Sequence, residues 1–170
     1  MKIIVLNICL IFSAITVQAQ SNQEIEYQKN YEKRIKLTRI NDVYIPVNTE
    51  EALKELMRLT EPEARAKLLT VPEDTIASKL HFSLGRWMLL NWGMEEGSRI
   101  SEYYKSKGVS FNDDKIDLIL RCFYRFLAAK DLKEEELIKH YIDKRNEELK
   151  LKHNKAKVVE TIIPGKKHNE

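Results

Sequence analysis

A chain of 170 residues, 43% hydrophobic and 32% charged, with a formal charge of +3, is sized for one ordinary domain with a real core and is too short for two comfortable ones. The charge is too small to imply a nucleic-acid surface. The aromatic residues also fall inside hydrophobic segments rather than along a basic stripe, so no nucleic-acid partner is expected.

The chain begins with Lys2, an apolar run from Ile3 to Val17 interrupted by Asn7, Ser13 and Thr16, and then Val17-Gln18-Ala19. This order predicts a secretory signal peptide over residues 1–19, cut after Ala19, with the mature chain exported to the periplasm or beyond the cell. The competing reading is a retained anchor. The run is shorter than the roughly 18 to 20 apolar residues a bilayer requires, and no basic cluster directly follows it, so no transmembrane segment is expected after cleavage. Cys9 leaves with the signal, so Cys122 has no intrachain disulfide partner and stability must come from burial. Cys122 lies in an apolar helical stretch between Arg121 and Phe123, which predicts a buried structural thiol rather than a nucleophile.

Residues 20–42 are polar, with Ile25, Tyr27, Tyr31, Ile35 and Leu37 too sparse to cover a core, and are expected to be a linker or a loose helix. A single helical domain is expected over residues 43–152, opening on an extended apolar piece, Val43 to Val47, around Pro46. Asn48 or Thr49 can cap a first helix with Ala52, Leu53, Leu56, Met57 and Leu59 on one face. Thr60-Glu61-Pro62 restarts the chain, and Thr70-Val71-Pro72-Glu73 reads as a capping box for a third helix bearing Ile76, Ala77 and Leu80. An aromatic segment from His81 to Trp92 follows and stops at Gly93, a natural left-handed terminus. Its apolar side chains point in every direction, which predicts that neighbours enclose it. Ser98 caps a helix carrying Ile100, Tyr103 and Tyr104, ended by Gly108, and Asn112 or Asp113 opens a longer one through Leu127. Asp131 to Glu134 reads as another capping box, before a last helix striped by Leu137, Ile138, Tyr141, Ile142 and Leu149. Residues 153–170 form a basic stretch without periodicity, expected to fray, with a short extended piece possible at Val158 to Ile163. The expected fold is all-α: a compact bundle of about five to seven helices around a central aromatic helix.

Few polar groups stand where a site could be. His81 can act as a base near neutrality, and a small hydrolase-like envelope enzyme pairing it with Arg86 or Arg99 is the alternative to a non-enzymatic module. Arg86, on a helix expected to be enclosed, requires an acceptor such as Asp113, Asp114 or Asp117. With Asn91 and Arg99 it could also frame a pocket for a carboxylate, a phosphate or an acidic peptide. Trp92 with Met94, Tyr103 and Tyr104 would form an aromatic patch if exposed. The candidate binding set is therefore Arg86, Asn91, Trp92, Arg99 and Tyr103, for a protein, a peptide or an envelope component. His140, His153 and His168 are too scattered to join His81 around a metal, and neither a metal nor a cofactor is expected.

The motif His81-Phe82-Ser83-Leu84-Gly85-Arg86-Trp87, followed by Asn91-Trp92-Gly93, Gly97-Ser98-Arg99, Asp113-Asp114, Ile119-Leu120 and Tyr124-Arg125, resembles an uncharacterised bacterial domain family over about residues 44–130. The resemblance implies no activity, cofactor or catalytic residue. The chain departs from the family pattern at Leu90, Met94-Glu95 and Tyr124, where the pattern carries Asn, Leu-Trp and His.

Overall fold

The computed structural model describes residues 23–162, with side chains through residue 155; the expected signal peptide and the end of the basic stretch lie outside the described residues. Helix α1 covers residues 23–34 and is exposed through residue 30. Polar contacts at its far end tie it to the rest of the chain. Tyr31 donates to Glu102, Lys105 Nζ lies 3.2 Å from the Tyr31 hydroxyl and over its ring, and Arg34 Nε donates to the Gly97 carbonyl at 3.2 Å. Gly97 adopts φ +92°, and a Cβ there would run into the Tyr31 ring. That position needs glycine for both its backbone and its closeness.

A two-residue hairpin follows, with β1 (Arg39–Ile40) antiparallel to β2 (Val43–Tyr44). Asn41 and Asp42 turn it at φ +48° and +61°, the left-handed pair that Asn and Asp tolerate best after glycine. Helix α2 (Thr49–Leu59) starts as the sequence predicts, with the Asn48 side chain accepting from the Glu51 amide at 2.9 Å. Ser98 likewise caps α6 (Arg99–Ser106).

The expected capping boxes do not form. Helices α3 (Pro62–Leu68) and α4 (Glu73–Leu80) have Glu61 and Pro72 at their cap positions, without a side-chain bond. Thr60 and Thr70 turn back instead, onto the carbonyls of Leu56 and Lys67 at 2.6 and 2.8 Å, and so finish the preceding helix. The proline ring fixes φ at Pro62 and Pro72 at these starts, and neither helix has a side-chain cap on its first amides. At the start of α8 (Glu134–Ile162), Asp131 accepts from Lys133 N at 3.2 Å in a local turn, and the Glu134 carboxylate is used elsewhere.

The aromatic segment is not the enclosed centre that its composition predicts. It consists of a π-helical turn (His81–Gly85) running into the short α5 (Arg86–Asn91). Gly85, Met88 and Trp92 face inward, whereas Phe82 is 82% exposed, Leu90 61% exposed, and Arg86 lies between them in solvent. The wider π turn accommodates one extra residue and rolls Phe82 outward. The central position belongs to α7 (Asn112–Leu127), which contacts α2, α4, the π turn, α5, α6 and α8. Its buried residues, from Asp114 to Tyr124, lie on most sides of the helix. Helix α8 continues to Ile162, so the extended piece expected from Val158 is helical where described, and the helix passes Lys152, where fraying is predicted. The fold is all-α apart from the hairpin, and no helix among the described residues is long and apolar enough to cross a membrane.

Candidate binding cleft

A cleft of about 550 Å³ lies between the hairpin, α2 and α5, lined by Arg39, Asp42, Val43, Tyr44, Glu55, Arg58, Leu59 and Trp87. Its volume falls within the range of small-ligand sites, its two rings offer stacking faces, and the Arg39 guanidinium offers a forked donor. Glu55 is buried and neutralised by Arg58, whose Nη2 and Nε lie 2.6 and 3.1 Å from the carboxylate oxygens. Arg39 leans on the Asp42 carbonyl, which closes the hairpin turn.

Two of the residues singled out from sequence stand behind this cleft. Trp92 is fully buried, and its ring meets Trp87 edge to face, with centroids 5.9 Å apart. The Arg99 guanidinium is clamped on the Ile45 carbonyl, with Nε at 3.1 Å, and lies 5.3 Å over the Tyr44 ring. Tyr44 in turn donates to Glu51 at 2.6 Å, and with the Val47 amide holds that carboxyl below its ordinary pKa. Trp92 and Arg99 therefore do not form an exposed patch; each braces an aromatic wall. Asn91 is also committed locally, donating to the Trp87 carbonyl at 2.9 Å.

Tyr103 belongs to a separate polar network. Thr49 Oγ1 lies 2.7 Å from Glu134 and 2.6 Å from Tyr104 Oη, and Tyr103 donates to the same Glu134 oxygen at 3.0 Å. Thr49 has one proton, so with that proton on Glu134 its oxygen accepts from Tyr104. Burial raises the pKa of both tyrosines, which keeps them neutral donors. The network ties α2, α6 and α8 together.

Arg86 has no ion pair among the described residues. Of the three acceptors expected for it, Asp114 is engaged with Arg145 and Asp117 with Arg121, whereas Asp113 has no salt bridge among the described residues. Arg86 does share a small hollow of about 90 Å³ with His81, Phe82 and Asp113. That volume is below what a substrate-sized site requires, and no hydroxyl or thiol lines it. Arg99, the alternative partner for His81, is held in the Ile45 and Tyr44 contacts. Among the described residues no group of three His, Cys, Asp or Glu is arranged to hold a metal. Cys122 is fully buried, and burial pushes its pKa up to about 12, which leaves an unreactive thiol.

Sequence reasoning missed the pair Ser101 and Lys115. Lys115 is 3% exposed and donates to Ser101 Oγ at 2.9 Å and to Asn112 at 3.2 Å, with no carboxylate bound. Ser101 donates onward to the Met94 carbonyl at 3.2 Å. Burial, with Lys105 adding repulsion against weaker support from Glu102, lowers the Lys115 pKa to about 8. In the unfolded chain the amine titrates near 10.5. Below pH 8 both states carry the proton and folding bears the full cost of burying the charge. Between pH 8 and 10.5 the folded state is the one that has released it, so stability rises with pH. Urea unfolding of the wild type against Lys115→Met at pH 7 and pH 10 is expected to show a wild-type gain of about 2 kcal/mol that the variant lacks. Equal pH dependence of the two proteins would contradict a buried, charged Lys115.

The cleft residues Arg39, Tyr44 and Arg58 were likewise not singled out from sequence. The Asn41-Asp42 pair between two short apolar stretches is the signal that could have revealed the hairpin holding two of them. No curated protein and no solved structure matches the chain. Residues 45–127, from the Arg99-bonded Ile45 through α7, match the model of a family described as a domain of unknown function (DUF6794).

Proposed function

We propose that this chain is an exported, non-enzymatic helical module that binds a protein, a peptide or another envelope component in the cleft between the hairpin, α2 and Trp87. The observation that carries the reading is the construction of that cleft: two aromatic walls, Tyr44 and Trp87, each braced from behind by a residue with no other exposed role. Braced rings bind with little loss of side-chain freedom, which favours recognition by stacking. Arg39 at the rim, which has no salt bridge among the described residues, suits a ligand with a carboxylate or another planar acceptor group. The export component rests on the Lys2 to Ala19 pattern. It predicts that a periplasmic fraction yields a chain beginning at Gln20; a chain retaining Met1 in the membrane fraction would reverse it.

Binding is tested with envelope extract passed over immobilised wild-type protein, the Arg39→Glu/Leu59→Asp double variant, and Lys139→Glu as an exposed control on α8. The proposal expects a bound species that the wild type and the control retain and the double variant loses. The same species should change the emission of Trp87 in a chain carrying Trp92→Phe. Identical retention by all three proteins would overturn the cleft as the binding site.

A further inference from the structure

We infer that the outward face of the π turn and α5, bearing Phe82, Arg86 and Leu90, docks a second copy of this chain in a two-fold arrangement that sets Arg86 of each copy against Asp113 of the other. This inference is independent of the cleft and uses none of its ligand-facing residues. Phe82 and Leu90 are among the most exposed large apolar side chains described, and they lie about two turns apart with Arg86 midway between them. Isolated exposed apolar residues are ordinary; two on one face flanking a charge make a contact surface.

The charges on this face identify its occupant. Asp113 and Arg86 line the same small hollow and are both exposed, yet neither has a salt-bridge partner among the described residues. The neighbouring carboxylates are engaged, Asp114 by Arg145 at 2.6 Å and Asp117 by Arg121 at 3.0 Å, which leaves Asp113 as the free acceptor beside a free guanidinium. A foreign partner of one charge sign would satisfy one of these groups and oppose the other. A copy related by a two-fold axis satisfies both, because in such a contact the pairing of residue i with j is repeated as j with i. The apolar residues Phe82 and Leu90 then pack around the paired charges and exclude water from them.

The face is narrow, so the association should be weak, with a dissociation constant on the order of 10 to 100 μM. Sedimentation equilibrium over about 5 μM to 1 mM is therefore the test, with circular dichroism verifying that each variant is folded. The wild type is expected to shift from monomer to dimer across that range. Phe82→Asp should remain monomeric. Arg86→Glu and Asp113→Arg should each weaken the dimer about tenfold, and the two together should restore it to within about threefold of wild type, since the charges are exchanged but remain complementary. Arg39→Glu/Leu59→Asp, on the cleft, should dimerise like wild type, which separates a failure here from a failure of the binding cleft. A wild-type chain monomeric at 1 mM would overturn the inference, as would a charge-swapped double variant no better than its parents.

Discussion

Replacing Trp92 with alanine is expected to destabilise the fold by about 4 kcal/mol, the largest effect of any single substitution considered. The side chain is fully buried in the main core cluster together with Met88, Ile100, Ile119 and Phe123, and its removal leaves a cavity in a closely packed interior. Trp92→Phe should be much milder, about 1 kcal/mol. It retains most of the apolar volume and removes an indole N–H that is buried without an acceptor. A second consequence distinguishes this residue from any other core position. Trp92 stands edge-on to Trp87, so Trp92→Ala should also loosen the wall of the cleft and make Trp87 more accessible to acrylamide than in wild type. Urea denaturation measures the first effect and fluorescence quenching the second. A loss below about 1 kcal/mol for alanine would mean that this ring is not packed in the core.

Arg145→Ala should destabilise by about 3 kcal/mol, through the group it leaves behind. The Asp114 side chain is 4% exposed, and both its oxygens are bound by Arg145, at 2.6 and 2.7 Å, across the junction of α7 and α8. Lys144 approaches no closer than 3.9 Å and cannot replace two forked hydrogen bonds. The same guanidinium covers the Phe111 ring, 4.3 Å from its centroid, so the loss includes packing as well as charge. The double variant Asp114→Leu/Arg145→Leu should be no less stable than Arg145→Ala, because it removes the stranded carboxylate along with its partner. Equilibrium unfolding of the three proteins checks this; a double variant markedly worse than the single one would mean that the stranded Asp114 carboxylate is not what destabilises Arg145→Ala.

The parts of this fold that local chemistry determines were legible in the sequence. Asn48 and Ser98 cap helices because a short side-chain oxygen ahead of an apolar periodic run has one good use, and Gly93 and Gly108 adopt positive φ at helix ends for a similarly local reason. Position relative to other helices was not legible. The segment from Phe82 to Trp92 has apolar residues on all sides, as an enclosed helix would, but the π turn and the short length of α5 leave Phe82 and Leu90 outside, and the long α7 takes the centre. The threonines at positions 60 and 70 precede helix starts, but each hydroxyl bonds a carbonyl of the preceding helix. The candidate site was displaced for the same reason. Trp92 and Arg99 stand out in the sequence as a binding pair, but burial and the Ile45 carbonyl make them braces for Trp87 and Tyr44. Lys115 and Ser101, fourteen residues apart on different helices, gave no sequence signal at all because only tertiary packing joins them.

Trp87 forms a wall of the cleft, and Trp92 is its buried support. Acrylamide quenching of Trp92→Phe, which reports Trp87, against Trp87→Phe, which reports Trp92, tests it most directly. Trp87 is expected to quench readily and Trp92 to be almost completely protected, with Trp87 becoming protected when the cleft is filled. Equal quenching of the two, or a protected Trp87 beside an accessible Trp92, would contradict it.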